Sequence, residues 1–340
     1  MGVFVFLPLV LPLTAWPVAR LAEQRLHPRT ATRLLTAVAG VSAVCSTLCL
    51  GLLMIVGTAQ LPGNPLPDSW SDPDVRAALP YDEIAGRAAI PALLAVLVSC
   101  GAAAWRRARV RRRVVAALGG LPPRSVAVLP DRTPYAYALP GGPGRGRGRG
   151  RGPGRGRRPV RQRGRGPVRG RGPGRVVVST GMLAGLTSAD RRALFAHERA
   201  HLAGRHHRHL LTVHLAARAN PFLRPLRTAV SYTAERWADE EAAAEVGSRR
   251  AVARAIGRAA LLAPSAPAAG LPALTGAGPV PRRVEALMRP APAGRAWPPV
   301  GTAVGLAAWG AACGATVSAL SSANSAVTLF LVLRGVASSV

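Results

Sequence analysis

Four apolar blocks without a single charged side chain constrain this chain more than any other feature. They cover residues 2–19, 34–67, 88–105 and 297–333 of the 340. An α-helix needs roughly 18–20 apolar residues to cross a bilayer, so each block reads as a membrane span and the chain as a four-span protein. The first block lacks a basic stretch before it, carries Pro8, Pro12 and Pro17, and runs on into "WPVARLAEQRL" without a small-residue cleavage site. It is therefore read as an uncleaved span rather than a signal peptide. The last block is longer than one span needs, and "SSANS" at 321–325 predicts that its helix ends near Leu320.

The short loops set the orientation. Arg20, Arg25, Arg29 and Arg33 follow the first block, Asp68, Asp72, Asp74, Asp82 and Glu83 separate the second from the third, and "WRRARVRRR" at 105–113 follows the third. Basic loops stay inside. The reading is a multi-pass cell-membrane protein with its N-terminus outside and the hydrophilic stretch between the third and fourth spans in the cytoplasm. Cys45, Cys49, Cys100 and Cys313 all sit in apolar blocks with no zinc or redox spacing, so no disulfide framework is expected.

The net charge of +30 comes from arginine alone, since the chain has no lysine, and residues 144–175 supply 13 of those arginines together with 12 glycines. With no aromatic residue and no acid that segment cannot bury a core, and it is expected to be disordered. Arg-Gly segments bind RNA when aromatic residues interleave them for base stacking; none does so here. The favoured reading is an overgrown turn between "PYAYAL" and "VVVST", two β-rich runs that read as the strands of a hairpin.

Five of the seven histidines fall in "FAHERAHLAGRHHRHLL" at 195–211. Thr187 with Asp190 three residues on marks a helix start before them, and no proline follows until Pro221. Inside that helix His197, Glu198 and His201 spell H-E-x-x-H. Positions i and i+4 share a helix face, so both imidazoles can address one Zn²⁺ while Glu198 stands beside them as a proton acceptor. By chance such a spacing arises on the order of 0.003 times in a chain of this composition. The later histidines, His206, His207, His209 and His214, are read as a solvated basic patch among Arg205 and Arg208, and His27 sits apart in a short loop.

Two ligands do not make a site. "YTAERWADEEAAAE" at 232–245 offers Glu235 and Asp239 at i and i+4 on a second helix, in a chain otherwise poor in acids. One carboxylate can bind the metal while the other steadies a ligating histidine. The competing reading is a solvated acidic face containing Glu240, Glu241 and Glu245.

H-E-x-x-H followed by E-x-x-x-D, with three apolar blocks before and one after, resembles the membrane zinc metallopeptidases of the β-lactam-sensing antirepressor (Bla/Mec) type, in particular their short actinobacterial forms. "STGML" before the first helix, "ANPFLRPL" between the two and "ERWADEEAA" add to the resemblance. It implies His197, His201 and Glu235 as Zn²⁺ ligands, Glu198 as general base and Asp239 as the partner of a ligand. Many relatives carry an aspartate where this chain has His206. No extracellular sensor domain follows the last block, so β-lactam sensing is not expected.

The fold expected on these grounds is a mainly α membrane protein of about four transmembrane helices. A cytosolic, zincin-like α+β metallopeptidase domain, a small β-hairpin plus the H-E-x-x-H helix, lies between spans three and four. Residues 1–105 form the three-span region, 106–295 the metallopeptidase domain with its Arg/Gly loop, and 296–340 the last span and tail. The expected activity is zinc-dependent cleavage of a cytosolic protein, a transcriptional repressor being the candidate, in signal transduction. The alternative is a catalytically silent membrane protein whose Arg/Gly loop and basic surface bind nucleic acid or anionic lipid. An intramembrane protease is disfavoured, because Asp190, Arg191, Arg192, Arg199, Arg205 and Arg208 surround the motif.

Overall fold

The computed structural model describes residues 7–59, 82–118, 125–141, 174–262, 280–292, 294, 297, 299 and 301–337. Three helices among them are long and apolar enough to cross a membrane: α2 (Pro28–Ala59), α3 (Asp82–Ala117) and α10 (Ala303–Ala337). At about 1.5 Å per residue each exceeds the ~30 Å hydrocarbon thickness, so their ends project beyond it. The described part of the first apolar block is segmented instead, into one α-helical turn at Leu7–Val10, a 3-10 turn at Leu11–Thr14 and α1 (Ala15–Arg25). Pro12, in the 3-10 turn, lacks the amide hydrogen that a helix continuous from Leu7 would use, whereas Pro17 falls in the first turn of α1, where none is needed.

One expectation for the last block is overturned. α10 runs unbroken through 321–325 rather than ending near Leu320. Serine and asparagine keep the backbone N–H that proline lacks, and each costs a helix only a fraction of a kcal/mol, while the next polar side chain, Thr328, returns its hydroxyl to the Asn324 carbonyl at 2.8 Å.

Much of the hydrophilic stretch packs on the spans. α6 (His206–Ala219) runs between α2 and α3, with Arg107 donating to the His207 carbonyl (3.2 Å), Cys100 Sγ to the Leu215 carbonyl (3.6 Å) and Arg218 to Ser99 Oγ (3.2 Å). At its far end Asn220 donates through Nδ2 to Ser46 Oγ (3.0 Å), which donates to the Pro8 carbonyl (2.7 Å). Asn220 also accepts from Phe222 N (3.0 Å), capping a 3-10 turn at Pro221–Leu223. The next helix, α7 (Arg224–Val246), buries Leu226, Ala229 and Val230 in one cluster with Ala15, Ala19 and Ala22 of α1 and Leu35 and Ala39 of α2. Alanines at these spacings form stripes that let helices approach closely, the mode of packing available where lipid replaces water.

Beyond the spans lies a three-stranded sheet, β1 (Val126–Leu129), β2 (Ala136–Leu139) and β3 (Arg175–Ser179), in the order β1-β3-β2. The central strand is the β-branched run Val176, Val177 and Val178, all buried. β2 pairs with β3 antiparallel, Ala136 opposite Val178 and Leu139 opposite Arg175, as the expected hairpin requires. β1, which pairs with β3 in parallel, was not anticipated. The Arg/Gly segment expected to be disordered lies outside the described residues apart from Gly174 and Arg175. After β3 come α4 (Thr180–Gly185), α5 (Ser188–Ala203), then α6 and α7, α8 (Arg249–Leu262) and α9 (Val280–Met288).

Candidate metal centre

The helix start predicted at Thr187 is present as a reciprocal cap. Thr187 Oγ1 accepts from the Asp190 amide (3.3 Å) and the Asp190 carboxylate accepts from the Thr187 amide (3.4 Å). Asp190 is fully buried and also receives Arg254 Nε (3.2 Å) and Arg258 NH1 (2.6 Å), which tie α8 to the first turn of α5. Burial works against its charge, but Thr187 and the two arginines outweigh that and hold the carboxyl at about 2.

The cap fixes the phase of α5, and His197 and His201 point to one place. Their Nε2 atoms lie 3.0 Å apart. From α7, Glu235 offers Oε2 3.5 Å from His197 Nε2 and Oε1 3.5 Å from His201 Nε2. Tetrahedral ligation at roughly 2.0–2.1 Å separates donors by about 3.3 Å, and these distances bracket it. Glu235 Oε1 and Glu198 Oε2 are buried without a hydrogen-bond partner among the described residues. Unsatisfied buried oxygens beside converging imidazole nitrogens are the signature of donors arranged for a cation. The three residues form a possible metal site. Glu198, 4% exposed, adjoins it, and burial pushes its carboxyl above the ordinary range although both histidines pull the other way.

Around the donors stands a ring of buried partners. Asp239 Oδ1 lies 3.0 Å from His197 Nδ1, within ion-pair reach though off the line of a good hydrogen bond. Arg283, from α9, grips Asp239 with two bonds (Nε to Oδ2 2.9 Å, NH2 to Oδ1 2.6 Å) and reaches Glu235 Oε2 at 3.0 Å. Burial opposes the charge on Glu235 and Asp239, and Arg283 overcomes it, holding Glu235 well below the carboxylate range and Asp239 at about 2. Burial likewise opposes a proton on His197, yet Asp239 and Glu235 raise its metal-free pKa to about 10.

The solvated-patch reading of the later histidines is corrected. His206 is 1% exposed, and its Nδ1 lies 2.8 Å from His201 Nδ1. In a continuous helix five residues span about 140° of rotation, which would carry His206 away from His201. The helix breaks instead: Arg205 takes φ 51°, a left-handed conformation costing a non-glycine residue roughly 1–2 kcal/mol. Gly204 leaves room for the returning ring, since a Cβ there would stand 2.4 Å from His206 Nε2. Burial keeps the His206 ring neutral, its pKa lowered to about 2. His207, His209 and His214 are half-buried, and burial followed by neighbouring arginines lowers all three, so they add little positive charge.

All five residues singled out from the sequence, His197, Glu198, His201, Glu235 and Asp239, thus meet in one buried cluster. Arg283 and His206 complete it and were missed. Arg283 has no local signal in a chain of 45 arginines, and His206 was masked by the histidines around it.

Residues 168–216, a stretch containing β3, α4, α5 and most of α6, match the model of peptidase family M48. The match falls on the helix carrying both histidines and supports a metal-dependent peptidase family; with the apolar helices it supports a membrane metallopeptidase. Comparison with curated proteins and with solved structures found no match.

Proposed function

We propose that this chain is an integral-membrane zinc metalloendopeptidase that cleaves a cytosolic protein, a transcriptional repressor being the candidate, in the manner of the antirepressor-type peptidases its motifs resemble. The observation that carries the proposal is the convergence of His197, His201 and Glu235 beside Glu198, whose Oε2 is buried without a hydrogen-bond partner among the described residues. His197, His201 and Glu235 would hold the zinc. When bound, zinc acidifies water and polarises the scissile carbonyl.

The chain's own residues supply the rest. Glu198 takes a proton from the attacking water and passes it to the leaving amine, a task suited to a carboxyl that burial makes more basic than an ordinary one. Asp239 fixes the ring of His197, and Arg283 holds Asp239 and Glu235 in their charged forms. The basic ends of α2 and α3 support placing the site on the cytoplasmic side.

The test compares two glutamates. Glu198→Gln keeps size and a hydrogen-bonding oxygen but accepts no proton, so it retains metal and loses hydrolysis. Glu235→Ala removes a ligand, so metal content itself falls. Metal analysis of purified protein, with cleavage of a co-expressed repressor, reads both. Full cleavage by Glu198→Gln ends the protease proposal, and unchanged zinc in Glu235→Ala removes Glu235 from the site.

A further inference from the structure

A second site lies behind the metal centre. A cleft of about 980 Å³ opens between the start of α2, the α5–α6 joint and α7, lined by Arg29, Arg33, Arg199, Arg205 and Arg208 around Trp237. At 100° per residue, its wall on α5 (Arg199, Ala200, Ala203) and its wall on α7 (Trp237, Glu241, Ala244) lie on other faces than His197, His201 and Glu235. It is therefore not the open side of the metal site.

Arg29 and Arg33 each hold their guanidinium carbon 5.4 Å from the Trp237 ring centre. Two like charges are thus gathered on one aromatic ring, and Arg205 and Arg208 stand exposed on the same cleft. Arg199 is paired across the cleft with Glu245, and Glu241, which accepts from Trp237 Nε1 (3.1 Å), is the other acid on its wall, so five arginines face two carboxylates. Guanidinium groups converging from three helices recognise phosphate, to which they donate in a planar fork.

The position of the cleft selects the kind of phosphate. Arg29 and Arg33 occupy the first two turns of a candidate membrane span, Pro28–Ile55. The start of α6, which carries Arg205 and Arg208 beside it, is bound to the basic end of α3 through Arg107 and His207. All of these groups lie at the basic ends of two spans, the level at which headgroups sit. We propose that the cleft binds the phosphate headgroup of an anionic phospholipid, clamping the start of α2 against α7. Its floor, Trp237, also touches the His206 ring (centroids 4.5 Å apart), so the bound headgroup stands two residues from metal ligand His201.

The test uses the full chain in detergent doped with phosphatidylglycerol or with phosphatidylcholine, counting bound lipids by native mass spectrometry. Phosphatidylglycerol binds preferentially, and Arg29→Gln with Arg33→Gln weakens its retention about 10–30-fold, from roughly fivefold per arginine. Arg29→Lys with Arg33→Lys retains part of it, and Arg112→Gln with Arg113→Gln, outside the cleft, leaves it unchanged. Zinc content reports that each variant is folded. Equal retention by the Arg29/Arg33 glutamine variant, or an equal loss from the Arg112/Arg113 variant, overturns the site. Displacement of the lipid by millimolar inorganic phosphate, or by an acidic peptide, assigns the cleft to a soluble anion and overturns the lipid.

Discussion

His206 Nδ1 and His201 Nδ1 lie 2.8 Å apart, across a helix break made by Gly204 and Arg205. A histidine that ligates through Nε2 carries its proton on Nδ1, and His206 is the group placed to accept it. Ring orientation at a metal depends on such a partner. The contact therefore links a backbone irregularity to the metal affinity of the site.

His206→Ala is expected to weaken metal binding by roughly 10–100-fold, the usual cost of losing a ligand's partner. His206→Asn and His206→Asp keep an acceptor and recover most of it. Gly204→Ala acts in the same direction without touching a donor, because its Cβ would meet the His206 ring at 2.4 Å. Competition against a chelator measures all four; wild-type affinity in His206→Ala would remove the ring from the site.

Metal uptake is expected to strengthen as pH rises. In the metal-free protein the His197 pKa is raised to about 10, since Asp239 and Glu235 outweigh burial. A raised pKa means that the proton stabilises the metal-free fold fully below the ordinary value near 6.5, and that this contribution fades as pH climbs through 10. Metal must displace that proton, so affinity gains roughly tenfold per pH unit below 10 for each proton released. The rise in melting temperature on adding Zn²⁺ should be larger at pH 8.5 than at pH 6; a flat response contradicts the charged state of His197.

Those charges also explain what could and could not be read from sequence. The three long helices were legible because charge-free runs have one solution in a bilayer, and the donors were legible because i and i+4 fix a shared face. The reciprocal cap at Thr187 and the β2–β3 pair were local patterns. What failed was either too short or too distant. β1 is four residues whose partner lies some fifty positions away. The break at Gly204 depends on a ring packing back onto the helix, and Arg283 reaches the centre only because α9 folds against α7. Ser and Asn at 321–325 were read as a stop, whereas a helix interrupted by neither proline nor glycine there simply continues.

Arg283→Gln is expected to harm the metal-free protein more than the metal-loaded one. The guanidinium is the only arginine within ion-pair distance of both Glu235 and Asp239 among the described residues, and removing one member of such a buried cluster costs about 3–5 kcal/mol. A bound dication compensates Glu235 in its place. Thermal unfolding with and without Zn²⁺ should show a larger stabilisation by metal in the variant than in wild type; equal stabilisation would show that Arg283 does not share the charge of Glu235 with the metal.

Reporter fusions test the orientation that the arginines imply. A fusion between residues 106 and 295 is expected to report a cytoplasmic location and one near Ser71 an external one. The reverse pattern removes a cytosolic substrate along with the topology.

Asp190 predicts an acid limit to the fold. Its carboxyl is held at about 2, so its contribution is complete above the ordinary carboxylate value of 3.8 and disappears as pH falls from there through 2. Asp190→Asn leaves an oxygen to accept from the Thr187 amide but no charge for Arg254 and Arg258. Both arginines are about half exposed, so solvent screens much of the pairing, and the expected loss at neutral pH is about 1 kcal/mol rather than that of a dry ion pair. Thr187→Ala removes both the acceptor for the Asp190 amide (3.3 Å) and the hydroxyl that donates to the carboxylate (2.6 Å), so it should cost a similar amount at neutral pH, and only the second part should fade with acid. The two variants therefore separate on acidification: unfolding midpoints measured from pH 7 to pH 2 should converge with wild type for Asp190→Asn and stay apart for Thr187→Ala. An Asp190→Asn deficit that persists undiminished at pH 2 would assign the role of Asp190 to the cap alone and leave the bond between α5 and α8 without a charge component.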